Sequence, residues 1–177
     1  MNDMLRLIEP LIPSLRRYAR ALAKNRAVAD DLVQDCLERA VSRWHQRRAD
    51  GDARTWMFTI LHNLAISRFR QTMFRGKHLP LDDADDSALG QPASQEDQLK
   101  YSEVLEKVSQ LPEEQRSVLL LVAVEDLSYA EAARVLDIPI GTVMSRLSRA
   151  RERLLTLMEG GEEDRVIALK PHLRSVK

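Results

Sequence analysis

A single cysteine, Cys36, leaves this 177-residue chain unable to form an internal disulfide, which fits a reducing cytoplasm and gives a cytoplasmic protein as the expectation. No apolar run approaches the roughly 20 residues that span a bilayer, so no direct membrane insertion is expected. The opening MNDMLRLIEPLIPSL carries Asp3, Glu9 and two prolines and does not read as a signal peptide. Catalytic and metal chemistry find equally little support. His45, His62, His78 and His172 are scattered without metal-ligand spacing. There is no Gly-rich phosphate loop, nucleophile elbow or paired-carboxylate motif. Asp82, Asp83, Asp85 and Asp86 lack the spacing of a calcium loop and read as a solvated acidic segment. The expectation is a protein that is not an enzyme and needs neither metal nor cofactor.

Net charge is also absent, with 27 basic residues against 27 acidic ones, but the balance hides a segregation. Residues 1–76 hold fourteen Lys and Arg against eight Asp and Glu, a net of +6, whereas residues 77–100 hold two against six. Within 140–158, four arginines face one acidic residue, Glu152. Binding to nucleic acid follows the local field, so neutrality excludes indiscriminate coating of DNA and leaves specific binding open.

The periodicity is helical throughout, with no internal repeat and no convincing strand. Residues 14–49 read as helix: Ala29, Leu32, Val33, Cys36, Leu37, Ala40, Val41 and Trp44 form one apolar stripe, while Asp31, Gln34, Asp35 and Glu38 share the opposite face. Gly51 and Asp52 mark a turn before a helix from about Arg54 to Arg70, which buries Trp56, Met57, Ile60, Leu61 and Leu64. Leu15, Tyr18, Ala19 and Leu22 supply a third apolar face, enough for a small bundle. Residues 77–100 lose all period and are rich in Asp, Pro and Gly, as a flexible linker is. Val104, Leu105 and Val108 open a second helical domain over 101–158, which Gly160 and Gly161 are expected to close. The tail 159–177 has no readable role. The fold class is all-α: two small helical domains, 1–76 and 101–158, joined by an acidic linker.

The most informative stretch is LPEEQRSVLLLVAVEDLSYAEAARVLDIPIGTVMSRLSRARERLL, residues 111–155. Ser128 and Glu131 form an S-x-x-E capping box that starts a short helix, and Asp137, Ile138 and Pro139 break it. Gly141 and Thr142 open a second helix carrying Arg146, Arg149, Arg151 and Arg153, with Val143, Leu147, Ala150 and Leu154 on its apolar side. A basic helix braced across a tight turn by another helix suits insertion into a DNA major groove. Arg151 and Arg153 also suit a helix C-terminus through its dipole; Arg146 and Arg149, beside Ser145 and Ser148, better suit phosphate and base-edge contacts.

The phrases LPEEQR, LSYAEAA, IPIGTV and SRLSRAR resemble, almost residue for residue, the C-terminal domain of the extracytoplasmic-function (ECF) sigma factors of bacterial RNA polymerase. ADDLVQDCLERAV and RTWMFTILHNLAISRFRQ resemble that family's N-terminal domain, so the resemblance spans about residues 10–157. Ala132 stands where the family usually has a larger aliphatic residue, Met144 where a basic one is common, and Ser67 where an acidic one is common.

The resemblance implies an alternative sigma factor that directs core RNA polymerase to promoters, helps open the DNA and is held in check by an anti-sigma factor. It assigns residue roles. Asp31, Gln34, Asp35 and Glu38, which alone read as a solvated helix face, become a docking face for polymerase. Asn63, Ser67, Arg68, Arg70 and Arg75 become contacts to the separated minus-ten strand, where a single strand needs phosphate tracks and pockets for unstacked bases. Trp56 and Phe58 are expected in the core rather than as base-stacking platforms. Thr142, Met144, Ser145, Arg146, Ser148, Arg149 and Arg153 become contacts to the duplex minus-thirty-five element. The linker, Asp82 to Asp86 included, is expected to thread the polymerase's nucleic-acid channel. Two other classes share parts of the pattern: an ordinary two-domain DNA-binding regulator, and a sigma mimic that titrates an anti-sigma factor. The acidic DDLVQD face argues against the first, and intact Arg146 and Arg149 against the second.

Overall fold

The structure is a computed structural model and describes residues 2–47, 51–74 and 95–169, with side chains in 3–47, 51–74 and 102–160. Arg75 and the Asp82–Asp86 cluster lie outside the described residues. Among the described residues eight α-helices follow in order: α1 Asn2–Ile8, α2 Ile12–Ala23, α3 Arg26–Arg43, α4 Ala53–Phe74, α5 Gln95–Ser109, α6 Glu113–Leu119, α7 Tyr129–Leu136 and α8 Ile140–Leu169. No strand occurs among the described residues, as the all-α reading expected.

The first helices pack as a bundle. Leu15, Tyr18, Ala19 and Leu22 of α2 meet Ala29, Leu32, Val33, Cys36 and Ala40 of α3 and Met57, Phe58, Leu61 and Ala65 of α4, all buried. Phe58 sits edge-on to Tyr18 with ring centroids 5.4 Å apart, and Trp56 meets Trp44 at 5.8 Å, so both aromatics pack inward as expected. Burial pushes the Cys36 thiol up to about 12, which leaves it protonated and unreactive in the native core.

Three boundaries and one burial differ from the sequence reading. The single helix read over 14–49 is two helices. Lys24 takes the left-handed conformation at φ 56°, and the extended Asn25 caps α3 by accepting the Val28 N–H at 2.9 Å. The apolar stripe runs on across this break, so periodicity alone does not reveal it. Val41, read as part of that stripe, lies at its edge and is 54% exposed. α5 starts at Gln95, within the stretch assigned to the linker; Gln95, Glu96 and Gln98 are good helix formers, and acidic side chains suit a helix N-terminus. Finally, α8 passes through Gly160 and Gly161 and ends at Leu169. A glycine stops a helix when it turns left-handed, and Gly160 does not.

In the second unit the capping box forms as read. The Ser128 hydroxyl accepts the Glu131 N–H at 3.2 Å, and the Glu131 carboxylate accepts the Ser128 N–H at 2.7 Å. Asp137, left-handed at φ 52°, ends α7. Val143, Leu147 and Ala150 of α8 are buried against α6 and α7, with Leu154 half-buried. α6 widens into a π turn over Leu120–Val124, where the Glu125 N–H reaches back to the Leu120 carbonyl at 3.0 Å.

The two units do not stand apart. Their buried apolar residues form one continuous cluster, and α2 and α4 pack against the second unit's α5, α6 and α7. At this junction Tyr18 and His62 share a buried hydrogen bond of 3.0 Å, and Ser117 of α6 lies within hydrogen-bonding reach of Tyr18.

Burial pushes the His62 imidazole down to about 4, because desolvation disfavours its charged form. The native state therefore refuses a proton that the unfolded chain accepts near the ordinary histidine value. Stability is fully present above pH 6.5 and is lost as pH falls toward 4. Between pH 7 and pH 5 this group should remove about 2 kcal/mol. Urea unfolding of wild type and His62→Gln at both pH values should show that difference in wild type and a flatter response in the variant; equal slopes would contradict it.

Candidate nucleic-acid interface

Three helix faces carry the residues singled out from sequence. On α3, Asp31, Gln34, Asp35 and Glu38 are all exposed, opposite the buried stripe. The Gln34 amide donates to Glu38 at 3.1 Å, which holds two of the four side chains along the helix. The Asp31 carboxylate pairs with Arg68 of α4 at 3.1 Å. Both partners are substantially solvated, so the pair adds at most about 1 kcal/mol to stability. Its consequence is geometric. A groove of about 700 Å³ between α3 and α4 is lined by Asp31, Gln34, Asp35, Ser67 and Arg68, so the acidic face and part of the α4 set adjoin each other.

On α4, Asn63, Ser67 and Arg70 are exposed along one face. Thr59, in line with them, is half-buried and donates its hydroxyl to the Thr55 carbonyl at 2.8 Å, which commits it to its own helix. The face continues through Gln71 and Phe74 into a groove of about 490 Å³ whose other wall is Leu136 and Asp137 at the end of α7. Asn63 offers a donor and an acceptor to a base edge, and Arg70 a cation to phosphate. Asp137 brings a negative charge to the same groove.

On α8, Met144, Ser145, Ser148, Arg149 and Arg153 are exposed and Thr142 is half-buried. The Ser145 hydroxyl donates to the Thr142 carbonyl at 3.1 Å. Arg146 differs from the other arginines, because it pairs with Glu114 of α6 at 3.0 Å and is only partly exposed. Arg149 and Arg153 thus present cations to solvent, while Arg146 is already held by a carboxylate. The structure brings the α8 residues together on one face and places the α4 set on a separate face nearby.

Sequence reasoning missed the contacts that join the units. Glu125 is 1% exposed, and its carboxylate accepts two hydrogen bonds from Arg17, both 2.8 Å. Arg54 donates to the Glu125 backbone carbonyl and stands 4.0 Å from its carboxylate. Glu125, followed directly by Asp126, closes the apolar run LLLVAV, and an acid abutting such a run was the available signal. Nothing local marks Arg17 or Arg54 as its partners.

A helical bundle followed by a helix-turn-helix is the arrangement of the sigma class of transcription-initiation proteins, and two family models assign the chain to that class. Residues 8–62 match the family model described as the Sigma2 domain of PhyR, and residues 101–154 match Sigma-70, region 4. The chain is 36% identical over 157 residues to the ECF RNA polymerase sigma factor EcfG of Rhodopseudomonas palustris, covering 86% of this chain and 84% of that one. It is 34% identical over 152 residues to the ECF RNA polymerase sigma factor SigL of Mycobacterium tuberculosis, covering 83% and 84%. Among solved structures, the sigma factor RpoE of Bartonella quintana, in complex with the anti-sigma factor NepR, aligns with a TM-score of 0.76 at 28% identity, over 90% of this chain and 98% of that one. The chain belongs to the ECF RNA polymerase sigma factor family. It is an alternative sigma factor, whose partners are core RNA polymerase and promoter DNA. Among the described residues no helix is long and apolar enough to cross a membrane.

The acidic α3 face gives a direct test of its role. Asp35→Arg places a cation on an exposed position of a helix whose core face it does not touch. Circular dichroism should be unchanged, whereas fluorescence titration with core polymerase should show weaker binding by about ten-fold or more, through like-charge juxtaposition. Wild-type affinity would remove this face from the polymerase contact.

Proposed function

We propose that residues 1–76 dock on core polymerase and capture the minus-ten strand, and that residues 101–158 read the duplex minus-thirty-five element. Residues 77–100 connect the two. Asp31, Gln34, Asp35 and Glu38 form the docking face. Asn63, Ser67, Arg68, Arg70 and Arg75 meet the separated strand. Thr142, Met144, Ser145, Ser148, Arg149 and Arg153 meet the upstream duplex, and Arg146 joins them once Glu114 releases it. The observation that carries this reading is that each face is solvent-exposed on a helix whose opposite side is fixed in the core. Such helices present side chains with little freedom to reorganise, which favours specific contacts. Capture of unstacked bases offsets part of the cost of melting, so the protein works by binding, with no catalytic group, metal or cofactor of its own. It acts in the cytoplasm.

An anti-sigma factor restrains it. The support is the likeness to Bartonella quintana RpoE, which was solved with its anti-sigma factor bound. The family model matching residues 8–62 is named for PhyR, and that match favours a second reading, in which the chain titrates an anti-sigma factor without using DNA. Against it stand the exposed Arg149 and Arg153, which a mimic has no use for.

Two substitutions separate these readings. Arg149→Ala should cost about 1–3 kcal/mol of promoter recognition while core binding survives. Asn63→Ala should leave upstream duplex binding intact and reduce strand opening, read as permanganate-reactive thymines. A mimic predicts no promoter-directed initiation by wild type with core polymerase, and an ordinary regulator predicts no opening.

A further inference from the structure

Among the described residues nothing covers the aromatic ring that ends α4. Phe74 is 92% exposed, whereas Tyr18 and Phe58 are buried and Trp44, Trp56, Phe69 and Tyr129 are partly buried. A ring left in water forgoes the burial that holds the others, and it keeps its π faces open to a flat partner. The helix sets its direction. At 3.6 residues per turn, Asn63, Ser67, Arg70 and Phe74 fall within about 60° of one another around the α4 axis. All four side chains are exposed, and they line one groove together. The neighbouring Met73 is 83% exposed, but it stands about 100° round the axis from Phe74. Both residues share the exposure of a helix end; only Phe74 shares the polar face.

A separated strand is held by cations that track its phosphates and by aromatic rings on which its bases stack. The α4 face proposed above for the minus-ten strand, on which this inference rests, offers Arg70 to phosphate and Asn63 to a base edge. The nearest sequence candidates for a ring, Trp56 and Phe58, are turned into the core. Phe74 supplies the ring instead. Arg70 lies one turn earlier, and Cβ atoms at that spacing are about 5–6 Å apart, so one nucleotide can set its phosphate on the guanidinium and its base on the ring. The α4 side chains around the ring are Ser67, Arg70 and Gln71, which suit phosphate and base edges better than an apolar protein segment. From Asn63 to Phe74 the helix rises about 16 Å at 1.5 Å per residue. That is the length of about five stacked nucleotides at 3.4 Å each, and of fewer in an extended strand. We propose that Phe74 is a base-stacking platform for the separated minus-ten strand, several nucleotides from the base that Asn63 meets.

The test uses holoenzyme assembled from the full chain and cognate core polymerase. Wild-type holoenzyme selects a promoter from random-sequence duplex, and fluorescein-labelled single strands of its minus-ten element are then titrated by anisotropy. Phe74→Ala should weaken binding of the held strand by roughly ten-fold, at unchanged circular dichroism. Phe74→Leu, apolar but without a π face, should match Phe74→Ala, and Phe74→Trp should bind at least as tightly as wild type. Met73→Ala should behave as wild type. Single abasic sites along the strand should reveal one position, about two to five nucleotides from the base met by Asn63, where base removal weakens wild type and leaves Phe74→Ala unaffected. Wild-type affinity in Phe74→Ala or in Phe74→Leu would overturn the stacking role. So would weaker binding of core polymerase by Phe74→Ala without DNA, which would make the ring a protein contact. Loss in Asn63→Ala with none in Phe74→Ala would strike the platform alone, whereas no loss in either would remove α4 from the strand altogether. A wild-type holoenzyme that selected no promoter would remove the proposed function and the platform with it.

Discussion

A carboxylate with almost no access to water sits between two arginines drawn from a different part of the chain, and the shape of this protein depends on that arrangement. Glu125 is separated by 108 residues from Arg17 and by 71 from Arg54. Taken out of water alone, its charge would cost several kcal/mol; with both oxygens hydrogen-bonded to a guanidinium the cost is offset, provided the two units stay together. The apolar residues around Tyr18 and Phe58 on one side and Leu121 on the other then form one cluster rather than two. Such a pair is a poor source of net stability compared with well-packed apolar side chains. It is a good device for specifying one arrangement, because the alternatives leave a charge stranded.

That constraint shapes the surfaces proposed above to act in transcription. The bundle fixes α3 and α4 so that an acidic face and a polar stripe lie on adjacent helices, joined by the Asp31–Arg68 pair. The capping box and the left-handed Asp137 fix α7 and thereby the start of α8. α8 in turn shows Arg149 and Arg153 to solvent, while Arg146 is held by Glu114. Each surface is rigid within its own unit.

Much of this was legible in the sequence, for physical reasons that differ from element to element. The S-x-x-E box around Ser128 is a local hydrogen-bond pattern, so it could be read directly and it formed as read. The buried side of α8 followed from spacing, as did the exposure of Asp31, Gln34, Asp35 and Glu38. The break at Lys24 and Asn25 escaped notice, because the apolar stripe continues across it and a capping asparagine is a weak signal inside a strong period. Gly160 did not end α8, because glycine permits a left-handed stop without requiring one. The partnership of Glu125 with Arg17 and Arg54 was not legible at all. It depends on long-range packing, and no local pattern selects two arginines among the fourteen basic residues of the first 76.

The central claim is that two units which look independent in sequence fold as one body in the free protein. Differential scanning calorimetry of the unlabelled chain, without polymerase or DNA, tests it most directly. One body predicts a single transition in which the calorimetric and van't Hoff enthalpies agree. Two resolved transitions, or a calorimetric enthalpy about twice the van't Hoff value, would show that the units unfold independently and would contradict the account.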